Sequence, residues 1–252
     1  MPTVTPFPAP ASKGESPFGA IGFTTVRPSC SSPHVRTIAF AVPSGDLTVG
    51  TVGFLSMPLN NVSGVASSWL EFRDVLCADS SVRFRRTDRL DASALASGRG
   101  RPFLASRGLY KVEKRAYRNV FPRGLDAIAR MAGTTPGSVF REDTPSNRMT
   151  ELFLDDHEPA GRPAIVVVPS NVLRSSWLTV NFTRTEHDEQ HLAGFFLARS
   201  DVGLLLEAAG FLAYGAFLHA KQDRGPASGL LSARLPKAVP VHLPGTTYSV
   251  VP

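Results

Sequence analysis

The sequence predicts an α+β domain. Its strands are mixed and mainly antiparallel, its helices few, with a long apolar one near 201–221, and its termini disordered. Three observations carry that expectation. Alternating, β-branched runs broken by turn residues fill positions 23–57. A continuous apolar run, Ile165–Val168, lies between Pro163 and Pro169 and reads as a fully buried strand. The stretch "DVGLLLEAAGFLAYGAFLHA", residues 201–220, is apolar on nearly every side over a length suited to a helix.

A chain of 252 residues accommodates one domain with loose ends and is long enough to bury a sizeable core. Its hydrophobic content of 42% against 19% charged residues fits a globular middle. The expected organisation is a flexible Pro/Ala/Ser-rich arm over 1–20, one globular domain over 21–225, and an extended Pro-rich tail over 226–252. The arm, "MPTVTPFPAPASKGESPFGA", has no basic segment leading into an apolar one, so it does not read as a secretory signal. It has too few apolar anchors to offset the entropy of ordering.

The elements follow in chain order. "GFTTVRP", "VRTIAFAVP" and "DLTVGTVGFLSM" read as strands, with a turn at Pro43-Ser44-Gly45-Asp46. In "ASSWLEFRDVLC" the spacing of Trp69, Phe72, Val75 and Leu76 favours a helix face. "SVRFRRTDRL" reads as a strand with Val82 and Phe84 on one side and Arg83 and Arg85 on the other. "PRGLDAIARMAG" is a short helix, with Pro122 near its start and Gly133 past its end. "TPSNRMTELFLDD" and "GRPAIVVVPS" read as strands. "WLTVNFTRTEHDEQHLAGFFLARS" reads as a hairpin with a charged tip. The 201–220 helix has Ser200 as a plausible N-cap and Asp201 in its first turn. Glu207, its glycines and His219 argue for a buried helix and against a membrane span, because an ion in the bilayer is costly.

Charge is where the sequence speaks about function. The net charge is +6 and the pI about 9.7. From Arg83 to Arg130 there are 13 Lys and Arg against Asp88, Asp91, Glu113 and Asp126, a local charge of +9 that leaves −3 for the rest of the chain. A cationic segment of this kind makes a polyanion the natural partner class. Within it lies "GLYKVEKRAYRNV". As a helix, it sets Lys111, Lys114, Arg115 and Arg118 at i, i+3, i+4 and i+7, on one face. Leu109, Val112, Ala116 and Val120 fall opposite. Tyr110 and Tyr117 border the stripe, placed to stack on a base or to pack. Acids from elsewhere, such as Glu151 or Asp155, are the alternative reason to tolerate four like charges on one face.

Arg83, Arg85, Arg86 and Arg89 extend the positive segment upstream, and Arg99 and Arg101 lie in the connecting "SGRGRPFLASRG". These twelve residues, ten cations and two tyrosines, are the candidate nucleic-acid-binding set. No RRM, KH or zinc-finger signature accompanies them, so binding is expected to be sequence-independent and salt-sensitive.

Catalytic signatures are lacking. No G-x-S-x-G elbow, no G-x-x-x-x-G-K-[ST] loop and no dinucleotide fingerprint occurs, and the expectation is a protein that is not an enzyme and uses no cofactor or metal. Cys30 and Cys77 make neither a disulfide framework nor a zinc cluster. In "EHDEQH", His187 and His191 stand at i, i+4, but Asp188 occupies the place of the zincin glutamate, and the surrounding pattern is a hairpin tip. "LDDHEP", with Asp155, Asp156, His157 and Glu158, is a charged turn before a strand. A divalent-metal enzyme built on these two turns is one alternative. A jelly-roll capsid subunit of a small virus is another; it needs eight antiparallel strands and a basic arm.

Alanine 27, serine 24 and proline 21 make up about 29% of the chain. "TPFPAPAS", "ASALASGRGRP" and "LPKAVPVHLPG" sample that bias. In composition, length and alkaline pI the chain resembles the proline-alanine-serine-rich proteins of polymycoviruses. The resemblance implies a genome-associated coat protein, self-associating in many copies along double-stranded RNA. It places the protein in a virion or ribonucleoprotein in the host cytoplasm, with no membrane partner.

Overall fold

The structure, a computed structural model, describes residues 24–25, 37–82, 84–85, 88–98, 110–156, 164–169, 192–198, 203–221 and 227–243. At 24–25, 110–113, 155–156, 164 and 192–198 the description is of the backbone alone. Its strands are β1 (Thr24–Thr25), β2 (Thr37–Gly45), β3 (Val49–Pro58), β4 (Thr135–Glu142), β5 (Ala164–Pro169), β6 (Leu192–Ala198) and β7 (Val241–His242). Its helices are α1 (Val62–Ala78), α2 (Ala92–Ser97), α3 (Tyr110–Arg118), α4 (Val120–Ala129), α5 (Ser146–Asp156), α6 (Leu204–Ala220) and α7 (Leu230–Arg234). The class is α+β with a mixed sheet.

The strands hydrogen-bond in the order β1-β6-β5-β2-β3-β4-β7, so the two-residue strands lie at the edges of a five-stranded centre. The pairs β2–β3, β3–β4 and β1–β6 are antiparallel, whereas β2–β5, β5–β6 and β4–β7 are parallel. The sheet is mixed: its longest ladders, β2–β3 and β3–β4, are antiparallel, and parallel pairing enters at β5 and at the edge of β4. The reason is legible in β5. A strand apolar on both faces needs cover on both, which is the situation of an interior parallel strand. Val167 enters one core cluster while Val166 and Val168 enter the other. Among the described residues the strands form one mixed sheet with helices on both faces, whereas the jelly-roll alternative needs two packed antiparallel sheets.

Alternation along β2 and β3 sorts the rest of the core. Phe40, Leu55 and Met57 face α6, α1 and α4. Ala39, Ala41 and Val52 face α5 through Met149, Leu152 and Phe153. The turn between β2 and β3 is held by Asp46, whose carboxylate accepts from the Thr48 and Val49 N–H groups at 2.8 and 3.0 Å. Lys221 donates to the same carboxylate at 2.5 Å and ties the end of α6 to this turn.

Helix α6 is covered on two sides, which is why its sequence has no polar face. Against the sheet, Thr51 Oγ1 donates to the Ala213 carbonyl at 3.0 Å. A Cβ on Gly53 would lie 2.1 Å from the Ala213 nitrogen. On the other side Phe211 meets Trp69 of α1 and Phe121 of α4, with ring centroids 5.5 and 5.6 Å apart. The helix starts at Leu204 with Gly203 at its N-cap; Ser200 and Asp201 lie outside the described residues. Among the described residues no helix is long and apolar enough to cross a membrane.

Other expectations are revised. "TPSNRMTELFLDD" holds helix α5, because Met149, Leu152 and Phe153 at i, i+3 and i+4 gather on one buried face. In "SVRFRRTDRL" Val82 and Phe84 are both buried, but their chain is not in the sheet. Asp79 and Asp88 bend it by accepting the Ser81 and Arg85 N–H groups, local bonds that compete with a strand ladder. On α1 Val75 is 57% exposed, and Arg73 takes a place in the buried face that the apolar spacing assigned to Val75. Residues 227–243 pack on the core through Leu231, Leu235, Ala238 and Leu243 and add β7 to the edge of β4. Of the hairpin expected over 177–200 only β6 is described, and it pairs with β5 and β1. The arm at 1–20 lies outside the described residues.

Candidate nucleic-acid interface

Helix α3 forms where the cationic spacing predicts one and runs into α4 through Asn119. Its inner face is set by Tyr117, 6% exposed, whose ring stacks on Phe84 at 6.2 Å. Of its two possible roles, stacking on a base or packing, Tyr117 takes the second. Burial pushes its phenol up to about 12, helped by the negative charges of Asp88 and Asp91. Val120, expected on the same apolar side, is fully buried.

With Tyr117 turned inward, Arg115 and Arg118 are exposed and Lys114 is half-buried. Arg118 donates from Nε and Nη2 to the Ser97 carbonyl at 3.4 and 3.3 Å. That carbonyl ends α2, so the guanidinium sits on the negative end of a helix dipole. Lys114 and Arg118 lie over Gly98, whose φ of 68° places it in the left-handed region. A Cβ there would meet Lys114 Cγ at 2.8 Å and Arg118 Nε at 3.0 Å. Glycine thus lets the two cationic side chains cross the end of α2.

Arg85 and Arg89 are exposed on the neighbouring segment. The Phe84–Tyr117 contact pins that segment to α3, so Arg85 and Arg118 emerge from elements joined one residue away. The two acids here face backbone donors. Asp88 accepts the Arg85 N–H at 3.0 Å. Asp91 caps α2 by accepting from the Ser93 and Ala94 N–H groups at 2.9 and 3.0 Å. Burial pushes the Asp91 carboxyl up, but the Ala94 and Ser93 donors and the Arg89 charge outweigh it and hold it below its ordinary value. Glu151, the acid considered as a cover for the stripe, is 3% exposed on α5, on the other face of the sheet.

Among the described residues Arg85 and Arg89 are thus exposed on the segment held against α3, Arg115 and Arg118 are exposed on α3 itself, and Lys114 and Arg118 meet over Gly98. Arg83, Arg86, Arg99 and Arg101 lie outside the described residues, as do the side chains of Tyr110 and Lys111. The two turns considered for metal, around Asp155–Glu158 and His187–His191, lie outside the described side chains as well.

Sequence reasoning missed a second polar centre. Arg73 Nη1 donates to Glu207 Oε2 at 2.5 Å, with both side chains about nine-tenths buried. Trp69 Nε1 donates to the same oxygen at 3.2 Å, and the Leu90 N–H to Oε1 at 3.3 Å. Arg73 Nη2 completes the set on the Asp88 carbonyl at 2.8 Å. The signal was present as two opposite charges, each on an otherwise apolar helix face. This centre fixes the segment from Asp88 to Leu90, and through it the base of the cationic surface.

No family model matches the chain, and neither a curated protein nor a solved structure does.

Proposed function

We propose that the chain is a viral genome-associated structural protein that coats double-stranded RNA through sequence-independent phosphate contacts. The observation that carries the reading is that Arg85 and Arg89 are exposed on a segment that the buried Phe84–Tyr117 contact holds against α3, where Arg115 and Arg118 are exposed as well. Point charges on a rigid base suit a duplex. The grooves of A-form RNA offer side chains little to read, so affinity rests on phosphate and ribose. The Pro/Ala/Ser bias adds the expectation of many copies along one molecule, and hence of self-association.

The test is a titration of duplex and single-stranded RNA by fluorescence anisotropy at several salt concentrations, beside light scattering of the same samples. Arg85→Glu combined with Arg115→Glu changes two exposed side chains that make no side-chain hydrogen bond among the described residues. Affinity for duplexes of unrelated sequence should fall together, and the salt slope should flatten by about one per lost phosphate contact. Unchanged affinity and slope in a folded double variant would overturn the assignment.

A further inference from the structure

A cavity of about 210 Å³ opens beside the buried ion pair. Three parts of the fold wall it: Val42, Pro43 and Pro169, the segment Arg89–Ser93, and Leu206, Glu207, Gly210 and Tyr214 of α6. Val42, Pro43 and Pro169 lie toward the carboxyl ends of β2 and β5, which are parallel neighbours. From β2 the chain goes on to β3 on one side; the strand after β5 is β6, on the other. Adjacent parallel strands that continue in opposite directions leave a crevice at their carboxyl ends, the place where open sheets bind ligands.

Gly210 is a second, independent pointer. Gly53 and Gly124 are explained by close neighbours, since a Cβ would strike the Ala213 backbone at 2.1 Å in one case and the Phe211 ring at 2.2 Å in the other. At Gly210 a Cβ would meet nothing within 4 Å. The residue stands inside a helix, where glycine is the poorest choice after proline, with an ordinary helical φ. Packing does not require it. Its effect is to leave room in the cavity it lines.

The polar groups define the occupant. Arg89 makes no hydrogen bond among the described residues, and its charge acts on the Asp91 carboxylate. Asp91 uses Oδ1 for the α2 cap, and Oδ2 has no hydrogen-bond partner there. The lining thus includes one residue with a forked cationic donor, Arg89, and one with an anionic acceptor, Asp91, beside Val42, Pro43, Leu206 and Tyr214. A guanine base matches this: O6 and N7 accept from an arginine, and N1–H and the 2-amino group donate to a carboxylate. We propose that this cavity binds a single guanine base, presented by a free nucleotide or by an unpaired residue of RNA. The site shares Arg89 with the cationic surface and otherwise uses residues that the duplex reading does not; only its RNA source rests on the function proposed above.

Calorimetric titration of the full chain with guanosine monophosphate tests it, with the adenosine, cytidine and uridine monophosphates as comparators. Saturable binding of the guanosine nucleotide is expected, at least tenfold tighter than the others. Gly210→Leu fills the cavity and favours helix, so it should abolish this binding without lowering the melting temperature. A hairpin RNA with one unpaired guanosine, run beside the same hairpin with uridine, identifies the source. A preference for the guanosine hairpin over the free nucleotide assigns RNA, and equal binding assigns the base alone. Arg85→Glu with Arg115→Glu should retain nucleotide binding, and Gly210→Leu should retain binding to blunt duplex. The two readings therefore fail separately. Absence of saturable guanosine nucleotide binding, or equal binding by Gly210→Leu, would overturn the proposal.

Discussion

Arg73 and Glu207 meet at 2.5 Å under the cationic surface, one from each of two helices that otherwise share an apolar contact. Burying two charges costs several kcal/mol of desolvation, which their attraction offsets only when the remaining hydrogen-bonding capacity is used. Here it is used, by Trp69, the Leu90 N–H and the Asp88 carbonyl. Removing one partner leaves the other charged and buried. Arg73→Met should therefore lower stability by about 3–5 kcal/mol. Combining Arg73→Met with Glu207→Leu should recover much of that loss. Urea denaturation of the two single variants and the double variant measures the coupling, and additive losses would show that the pair does not act as a unit.

Tyr117 supplies a test at alkaline pH. Its phenol titrates at about 12 in the fold and near 10 when unfolded, so the unfolded chain releases its proton first. Its contribution is complete below pH 10 and is lost as pH rises through the folded value. Stability should fall between about pH 10 and 12, and Tyr117→Phe should make that fall shallower. Because the ring is buried on Phe84, the same substitution should leave RNA affinity unchanged. A loss of affinity in a fully folded Tyr117→Phe protein would mean that the hydroxyl reaches the ligand.

The cationic face of α3 was legible because charge spacing is a local property, and Lys114, Arg115 and Arg118 lie where a period of 3.6 puts them. The buried strand β5 was legible for a similar reason, since an unbroken apolar run closed by prolines demands cover on both faces. Helix α5 was not. Its Met149, Leu152 and Phe153 fit a helix, yet the segment stands between strands, and that setting outweighs so short a period. The charged centre escaped because Arg73 and Glu207 are 134 residues apart, and each alone looks like an exposed residue on a core helix. Tyr117 shows the limit within one helix, where periodicity gives an angle but not what lies beside it. Phe84, brought there by turns at Asp79 and Asp88, decided that the ring packs.

The seam between β3 and α6 makes a steric prediction. At Gly53 a Cβ would lie 2.1 Å from the Ala213 nitrogen and 2.6 Å from its Cα, and neither is the end of a flexible side chain. Gly53→Val must push the helix off the sheet and break the Thr51–Ala213 hydrogen bond. A loss of about 1–3 kcal/mol is expected from overpacking, with more from the lost bond. Gly210→Ala, where a Cβ meets open space, should instead hold or raise stability. Thermal melts should place Gly53→Val below the parent and Gly210→Ala at or above it, and a shared destabilisation would contradict the packing described for α6.

The cap of α2 links stability to the cationic surface. Asp91 satisfies two N–H groups at the start of this helix, whose last turn presents the Ser97 carbonyl to Arg118. Asp91→Ala should cost about 1 kcal/mol, a fall in melting temperature of about 2–4 °C for a chain of this size. The pH dependence follows from the direction of its shift. Its folded carboxyl lies below the unfolded value of about 3.9, so its stabilisation is complete above that pH and is lost as pH falls through the folded value. Melting of the parent and of Asp91→Ala should differ at pH 7 and converge at low pH. Asp91→Asn, which keeps a capping oxygen, should retain most of the stability at pH 7 while losing the acid dependence. A gap between parent and Asp91→Ala that stays constant down to pH 2 would show that the carboxylate charge plays no part in holding α2 under Arg118.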